Sequence, residues 1–270
     1  MSQTFVVRGY ADYLGTSYQL ALCGANNVRW RDLVTGPVWG AAGRNVVELA
    51  EAAYAIEAAR NAVRTFALLM KPDDWLFYIH MGHGTDEVPV LGPMGDVEGR
   101  AQGMVCNNST FAKPTSFYTA DLFEADVAGS LGNVAIIIDG CTCGWFVRDT
   151  VDPILLARAT KKLVNGEVRY LPNPAWAGQR AFRDLPVVNM CPAGERICVL
   201  TACAEGESAP DMDAGGFSDL ATAYIAAHPK LPVTACLMAD VVGGELDKAI
   251  GNTPTASGPI ADTAWPHVEN

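Results

Sequence analysis

Asn133-Val-Ala-Ile-Ile-Ile-Asp-Gly-Cys-Thr-Cys-Gly144 decides the fold class. Val134 to Ile138 carries no polar residue and is rich in β-branched side chains, the pattern of a strand buried on both faces of a parallel sheet. The run stops on a carboxylate, a glycine and a thiol: Asp139, Gly140 and Cys141. Reactive groups therefore stand at the carboxyl end of a core strand, the edge at which open α/β sheets bind their ligands.

A second strand carries the complement. Trp75-Leu-Phe-Tyr-Ile79 runs into His80-Met-Gly-His-Gly84, and His83 precedes Cys141 by 58 residues. If the strands are neighbours, imidazole and thiol share one cleft. A neutral histidine in hydrogen-bond reach takes the thiol proton, and the thiolate is the nucleophile. Glycine after the histidine lets a carbonyl approach the backbone, so the amides of Gly84 and Cys141 are the candidate oxyanion hole. The competing reading of Cys141 is an ordinary buried thiol; His83 and the flanking glycines favour the nucleophile. By strand alternation His80 faces away from His83 and reads as structural.

A chain of 270 residues, half of them hydrophobic and 18% charged, is globular and suits one large α/β domain or two small ones. A net charge of −11 argues against nucleic acid or an anionic membrane as partner and is compatible with a basic peptide. Neither a signal peptide nor an apolar run long enough to span a membrane is visible, so the cytoplasm is the expected location. The eight cysteines read as reduced, since Cys23, Cys141, Cys198 and Cys236 sit in or beside apolar runs.

In chain order, Thr4 to Tyr10 reads as a short edge strand, Gln19 to Ala25 as the first core strand, and Asn26 to Gly43 as a loop. Val46, Leu49, Ala53, Ile56, Val63, Phe66 and Met70 recur at helical spacing, predicting one long helix over 45–70. Residues 86–119, rich in glycine and proline, read as a long loop with room for a hairpin, followed by a helix capped by Thr119. Strand 196–200, helices over 217–227 and 234–250, and a last short strand at 253–256 complete the pattern. The tail after Gly258 reads as irregular.

These residues resemble the caspase-like cysteine peptidases, and among them the metacaspase and orthocaspase branch. Met81-Gly-His-Gly84 and Asp139-Gly-Cys-Thr-Cys-Gly144 stand where that group has Ser-Gly-His-Gly and Asp-x-Cys-x-x-Gly. Thr201-Ala-Cys-Ala-Glu-Gly-Glu-Ser-Ala209 is similar to its Ser-Gly-Cys segment, and Gly215-Gly-Phe-Ser218 to its Gly-x-Phe-Thr helix start. The resemblance implies a three-layer α/β sandwich with a mostly parallel central sheet and helices on both faces. It implies a single peptidase domain over 1–270: an N-terminal edge segment (1–15), a part bearing His83 and Cys141 (16–145), a linker (146–195), a smaller part (196–258) and a tail (259–270). A second strand that caspase-like domains carry before the histidine strand is not legible.

The implied activity is cleavage of peptide bonds by a Cys141–His83 dyad, with Cys143 at the position of the group's serine. Asp139 then lies in the S1 pocket and selects Arg or Lys at P1, with Ser208, Glu205 and Asp32 or Asn45 as further candidates. The chemistry requires no cofactor; the resemblance brings calcium as a candidate ion, through Asp96, Asp121 and Asp149. The expected partner is a peptide or protein with a basic P1 residue, and the expected state a monomer. Two other readings stay open: a catalytically inactive caspase-fold module used for binding or regulation, and a zinc or redox site at Cys141, Cys143 and His83.

Overall fold

The computed structural model describes residues 2–39, 45–89, 100–140, 196–203, 209–250 and 252–266. Its centre is a six-stranded sheet of order β2-β1-β3-β7-β8-β9. The strands are β1 (Thr4–Tyr10), β2 (Val46–Ala50), β3 (Trp75–Met81), β7 (Asn133–Asp139), β8 (Ile197–Thr201) and β9 (Thr255–Ser257). All pairings are parallel except β8 with β9. A small antiparallel sheet, β4 (Gly84–Pro89), β5 (Arg100–Val105) and β6 (Phe117–Thr119), grows from the end of β3. The helices are α1 (Cys23–Thr35), α2 (Ile56–Leu69), α3 (Ala120–Val127), α4 (Phe217–Ala227) and α5 (Ala235–Ile250).

Strand alternation sorts the helices into two layers. Phe5 meets Phe66 of α2 at 5.1 Å between ring centroids, whereas Arg8, of opposite parity on β1, bonds Asn27 of α1. On β3, Tyr78 packs on Phe123 of α3 while Phe77 stacks on Trp39, beyond α1. The sheet is thus covered on both faces, and β7 is buried as its apolar run demands.

The N-terminal third departs from the sequence reading. Thr4–Tyr10 is an interior strand between β2 and β3, not an edge; its Arg8 is accommodated by Glu48 and Asn27. Gln19 to Ala25 is not a strand, and Asn26 to Gly43 is not simply a loop, because the chain coils as far as Leu22 and is then helical to Thr35. The long helix over 45–70 begins only at Ile56. Before it, Val46–Ala50 pairs with β1 as the edge strand that the sequence hid, and a short turn bearing Glu51 at φ 48° separates the two. Residues 86–119, read as a long loop with room for a hairpin, carry most of the three-stranded sheet β4-β5-β6, and the remaining strands and helices fall within a few residues of their expected places. The tail is irregular, but Trp265 and Ala261 are buried and hydrogen-bonded to the backbone at Val233 and Cys236. Residues 146–195, the whole of the expected linker, lie outside the described residues.

Sheet order reverses between β1 and β3: from β1 the sheet grows to β2 one way and to β3, β7 and β8 the other. A crevice opens at the carboxyl ends of two such strands. The loops after β1 and β3, which hold Tyr13, Tyr18 and His83, meet there.

Candidate active site

The β3–β7 ladder pairs Met81 with Asp139, and Gly82 N–H continues it by donating to the Asp139 carbonyl at 3.2 Å. Two glycines make this close approach. A Cβ on Gly140 would lie 2.8 Å from the Gly82 carbonyl, and one on Gly82 would lie 2.5 Å from the Tyr13 hydroxyl. The two strand ends named by the sequence are therefore neighbours. Cys141, Cys143, Ser208, Glu205, Asp96 and Asp149 lie outside the described residues.

His83 is 1% exposed and held on several sides. Its N–H donates to the Tyr13 hydroxyl at 3.0 Å, and its carbonyl accepts from Val105 N–H and from the His80 ring. Its Nε2 lies 2.5 Å from the Tyr18 carbonyl. A carbonyl only accepts, so Nε2 carries the hydrogen and Nδ1 is the basic nitrogen of the neutral ring. The Tyr13 ring lies against the imidazole at 4.6 Å between centroids.

The Val105–His83 bond also fixes Gly84. Hydrogen-bonded and non-hydrogen-bonded pairs alternate along an antiparallel ladder, so Gly84 with Met104 is a non-bonded pair and the Gly84 amide turns away from β5. That amide nitrogen is 3.5 Å from where a Cβ on Gly140 would sit.

His80 faces the α2–α3 layer and is fully buried. Its Nε2 donates to the His83 carbonyl at 3.0 Å, so in the neutral ring Nδ1 accepts from the Tyr54 hydroxyl at 2.6 Å. Tyr54 in turn accepts from Tyr78 at 2.8 Å. Burial holds both phenols well above the usual tyrosine range. It also pushes the neighbouring Cys106 thiol to about 12.

Asp139 is 2% exposed and faces the α1–α4 layer, as Met81 does. Ser218, in the first turn of α4, donates its hydroxyl to Asp139 Oδ2 at 2.5 Å, and Trp30 Nε1 of α1 donates to that hydroxyl at 2.8 Å. A helix N-terminus is a favourable place for a carboxylate. Asp32 is elsewhere: its side chain is 64% exposed, paired with Arg31, and about 200° around α1 from Trp30. Asn45 is buried and bonds Gln3 near the amino end of β1. Asp121 sits in the first turn of α3 and accepts from the Thr119 hydroxyl, which makes no cap bond to the helix backbone. Calcium takes six to eight oxygens, and among the described residues no three acidic, histidine or cysteine side chains gather as a metal site. Tyr13, Tyr18, Tyr54 and Trp30 were not singled out from sequence. The Tyr18 contribution is a backbone carbonyl, which leaves no mark on residue type.

No protein-family profile and no curated protein matches the chain in sequence. Among solved structures it is similar to protein GSU0716 from Geobacter sulfurreducens, with a TM-score of 0.61 and 15% identity over 94% of this chain and 92% of that one. It is also similar to caspase-1 from Spodoptera frugiperda, with a TM-score of 0.53 and 9% identity over 95% of this chain and 86% of that one. The chain has the caspase fold, an α/β architecture with a mostly parallel six-stranded sheet flanked by helices. Among the described residues no helix is long and apolar enough to cross a membrane.

Proposed function

We propose that this chain is a cysteine endopeptidase, metacaspase-like in chemistry, in which His83 deprotonates Cys141 and the thiolate attacks a peptide carbonyl. The observation that carries the reading is the setting of His83. It stands at the sheet's crevice with Nε2–H committed to the Tyr18 carbonyl, beside the end of a strand that Cys141 follows by two residues in sequence. Gly140, the residue before Cys141 in sequence, packs on Gly82.

Proton transfer from Sγ to the imidazole gives a thiolate–imidazolium pair. Attack forms the tetrahedral oxyanion, with the amides of Gly84 and Cys141 as donors. The imidazolium then returns its proton to the leaving amine, and water hydrolyses the acyl-enzyme with His83 as base again. Among the described residues the other thiols are poor rivals. Cys23, Cys106, Cys198 and Cys203 are buried, and burial pushes Cys106 to about 12 and Cys236 to about 11.

Asp139 is the proposed selector of Arg or Lys at P1, oriented by Ser218 and Trp30, with Ser208 as a further proposed pocket residue and a peptide or protein as substrate. A buried carboxylate gains from a cationic partner. We further propose that the protein works as a cytoplasmic monomer. Its chemistry needs no cofactor, and calcium enters only as a regulator to be tested.

The test is cleavage of fluorogenic peptides with Arg, Lys or Asp at P1, with and without calcium, by wild type, Cys141→Ala and Asp139→Asn. Turnover after Arg or Lys that vanishes in Cys141→Ala and falls at least tenfold in Asp139→Asn supports the reading. Turnover after Asp alone sinks the pocket assignment. A folded protein with no turnover on any peptide points instead to a binding module.

A further inference from the structure

Tyr13 stands out on three observations. It adopts φ 51°, a left-handed conformation that an aromatic residue rarely takes. Its hydroxyl is spliced into a β-ladder: Val105 N–H donates directly to the His83 carbonyl at 3.0 Å, but the return link runs through the phenol. There, His83 N–H donates to the hydroxyl at 3.0 Å, and the hydroxyl donates to the Val105 carbonyl at 2.6 Å. Its ring lies against the imidazole, 4.6 Å between centroids and 39° between planes. Gly82 leaves room for the hydroxyl, because any side chain there would collide with it at 2.5 Å.

We infer that Tyr13 is a positioning residue for His83: its hydroxyl fixes the histidine backbone, and its ring fixes the imidazole plane and favours the protonated ring. The inference rests on His83 being the base of the proposed dyad. A cation within about 6 Å of an aromatic centroid is stabilised by the ring face. Stabilising the imidazolium stabilises the thiolate–imidazolium pair, so the Cys141 thiolate forms at lower pH than it would without the ring.

The experiment measures the pH dependence of Cys141 alkylation by iodoacetamide, read at that residue by peptide mass spectrometry. It is applied to wild type, Tyr13→Phe, Tyr13→Leu and His83→Ala. Alkylation requires no peptide substrate and so is independent of the P1 assignment. Tyr13→Leu should move the onset of reactivity up by about half a unit to one unit. Tyr13→Phe keeps the ring and the onset, but should lower kcat severalfold at unchanged KM on whichever peptide is cleaved. Because Tyr13→Phe removes a single oxygen, it keeps the test readable if Tyr13→Leu does not fold. Loss of low-pH reactivity in His83→Ala, with both Tyr13 variants matching wild type in onset and kcat, would leave the dyad standing and overturn the inference. A His83→Ala profile that overlays wild type would overturn both.

Discussion

Two histidines three residues apart at the end of β3 have opposite fates. The His80 ring has both nitrogens engaged by the protein's own groups, a phenol and a carbonyl, in a fully buried tyrosine cluster. The His83 ring, on the other side of the chain, has Nε2 tied to a loop carbonyl and a ring against its face at the sheet's crevice. Residue type and burial do not separate them. Their partners do: His80 accepts a hydrogen bond from the Tyr54 hydroxyl and donates one to the His83 carbonyl, so charging it would break a hydrogen bond in a medium that penalises charge. His83 is held in the tautomer that leaves Nδ1 basic, and its backbone is braced from three directions. Through His80 the buried cluster donates one hydrogen bond to the carbonyl of His83.

Replacing His83 by alanine should produce the largest effect, a fall of about 10² to 10⁴ in kcat/KM, the range for losing a general base. The melting temperature should stay within a few degrees of wild type. A comparable loss of activity from His80→Ala, with unchanged stability, would erase the distinction between the two residues. The expected outcome for His80→Ala is the reverse: a loss of roughly 2–4 kcal/mol of stability, from a cavity and an unsatisfied Tyr54 hydroxyl. Turnover per folded molecule should fall less than tenfold, because the His83 carbonyl keeps its bond from Val105. Urea melts and active-site titration measure the two effects separately.

The opposite facing of the two histidines was legible in strand alternation, and most of the second half of the fold in its apolar runs, whereas the β3–β7 adjacency was only a condition of the reading until the pairing of Met81 with Asp139 showed it. The first third was not, for identifiable reasons. The buried face of α1 includes Asn26 and Asn27, which serve Arg8, Arg29 and the Met212 carbonyl, so the helix shows no clean apolar stripe. The apolar residues just before it, Leu20 to Leu22, look like a strand because a run that short has no readable period. β1 carries Arg8 and Gly9 in its carboxyl-terminal half, a charge and a glycine that suit an edge better than an interior strand. The arginine is neutralised by Glu48, and the glycine makes room for the Tyr54 ring, which a Cβ would meet at 2.2 Å. β2 was absorbed into a helix because Val46, Leu49, Ala53 and Ile56 happen to fall at helical spacing, and only pairing with β1 decides otherwise. At the site, the motif Gly215-Gly-Phe-Ser218 was visible, but the bond from Ser218 to Asp139 was not.

The tyrosine cluster around His80 also makes an alkaline prediction. Burial raises Cys106 to about 12 from its ordinary 9.0, and raises Tyr54 and Tyr78. In the unfolded chain these groups lose their protons first, so the native state binds more protons above pH 9. Stability that is fully present below that pH is lost as pH rises toward the folded values, by up to about 1.4 kcal/mol per pH unit for each such group. Urea midpoints between pH 7 and 11 should fall steeply above about 9, and less steeply in Cys106→Ala, whose buried alanine has no proton to lose. An equal slope in the variant would mean that Cys106 is not sealed from solvent.

The smallest effect tests the direction of the proton chain. Because the Tyr54 hydroxyl donates to His80 Nδ1 and accepts from Tyr78, Tyr54→Phe removes both bonds, whereas Tyr78→Phe removes only the bond that Tyr78 donates. Tyr78→Phe leaves Tyr54 still donating to the ring, with one lone pair unused, and should cost about 1 kcal/mol, the net worth of a single bond. Tyr54→Phe leaves the Tyr78 hydroxyl and the Nδ1 lone pair both buried and unmet, and should cost about twice as much. If the two substitutions cost the same, the chain does not run from Tyr78 through Tyr54 to His80. The ring would then carry its hydrogen on Nδ1, and the His83 carbonyl would lose the donor that distinguishes its support from an ordinary turn.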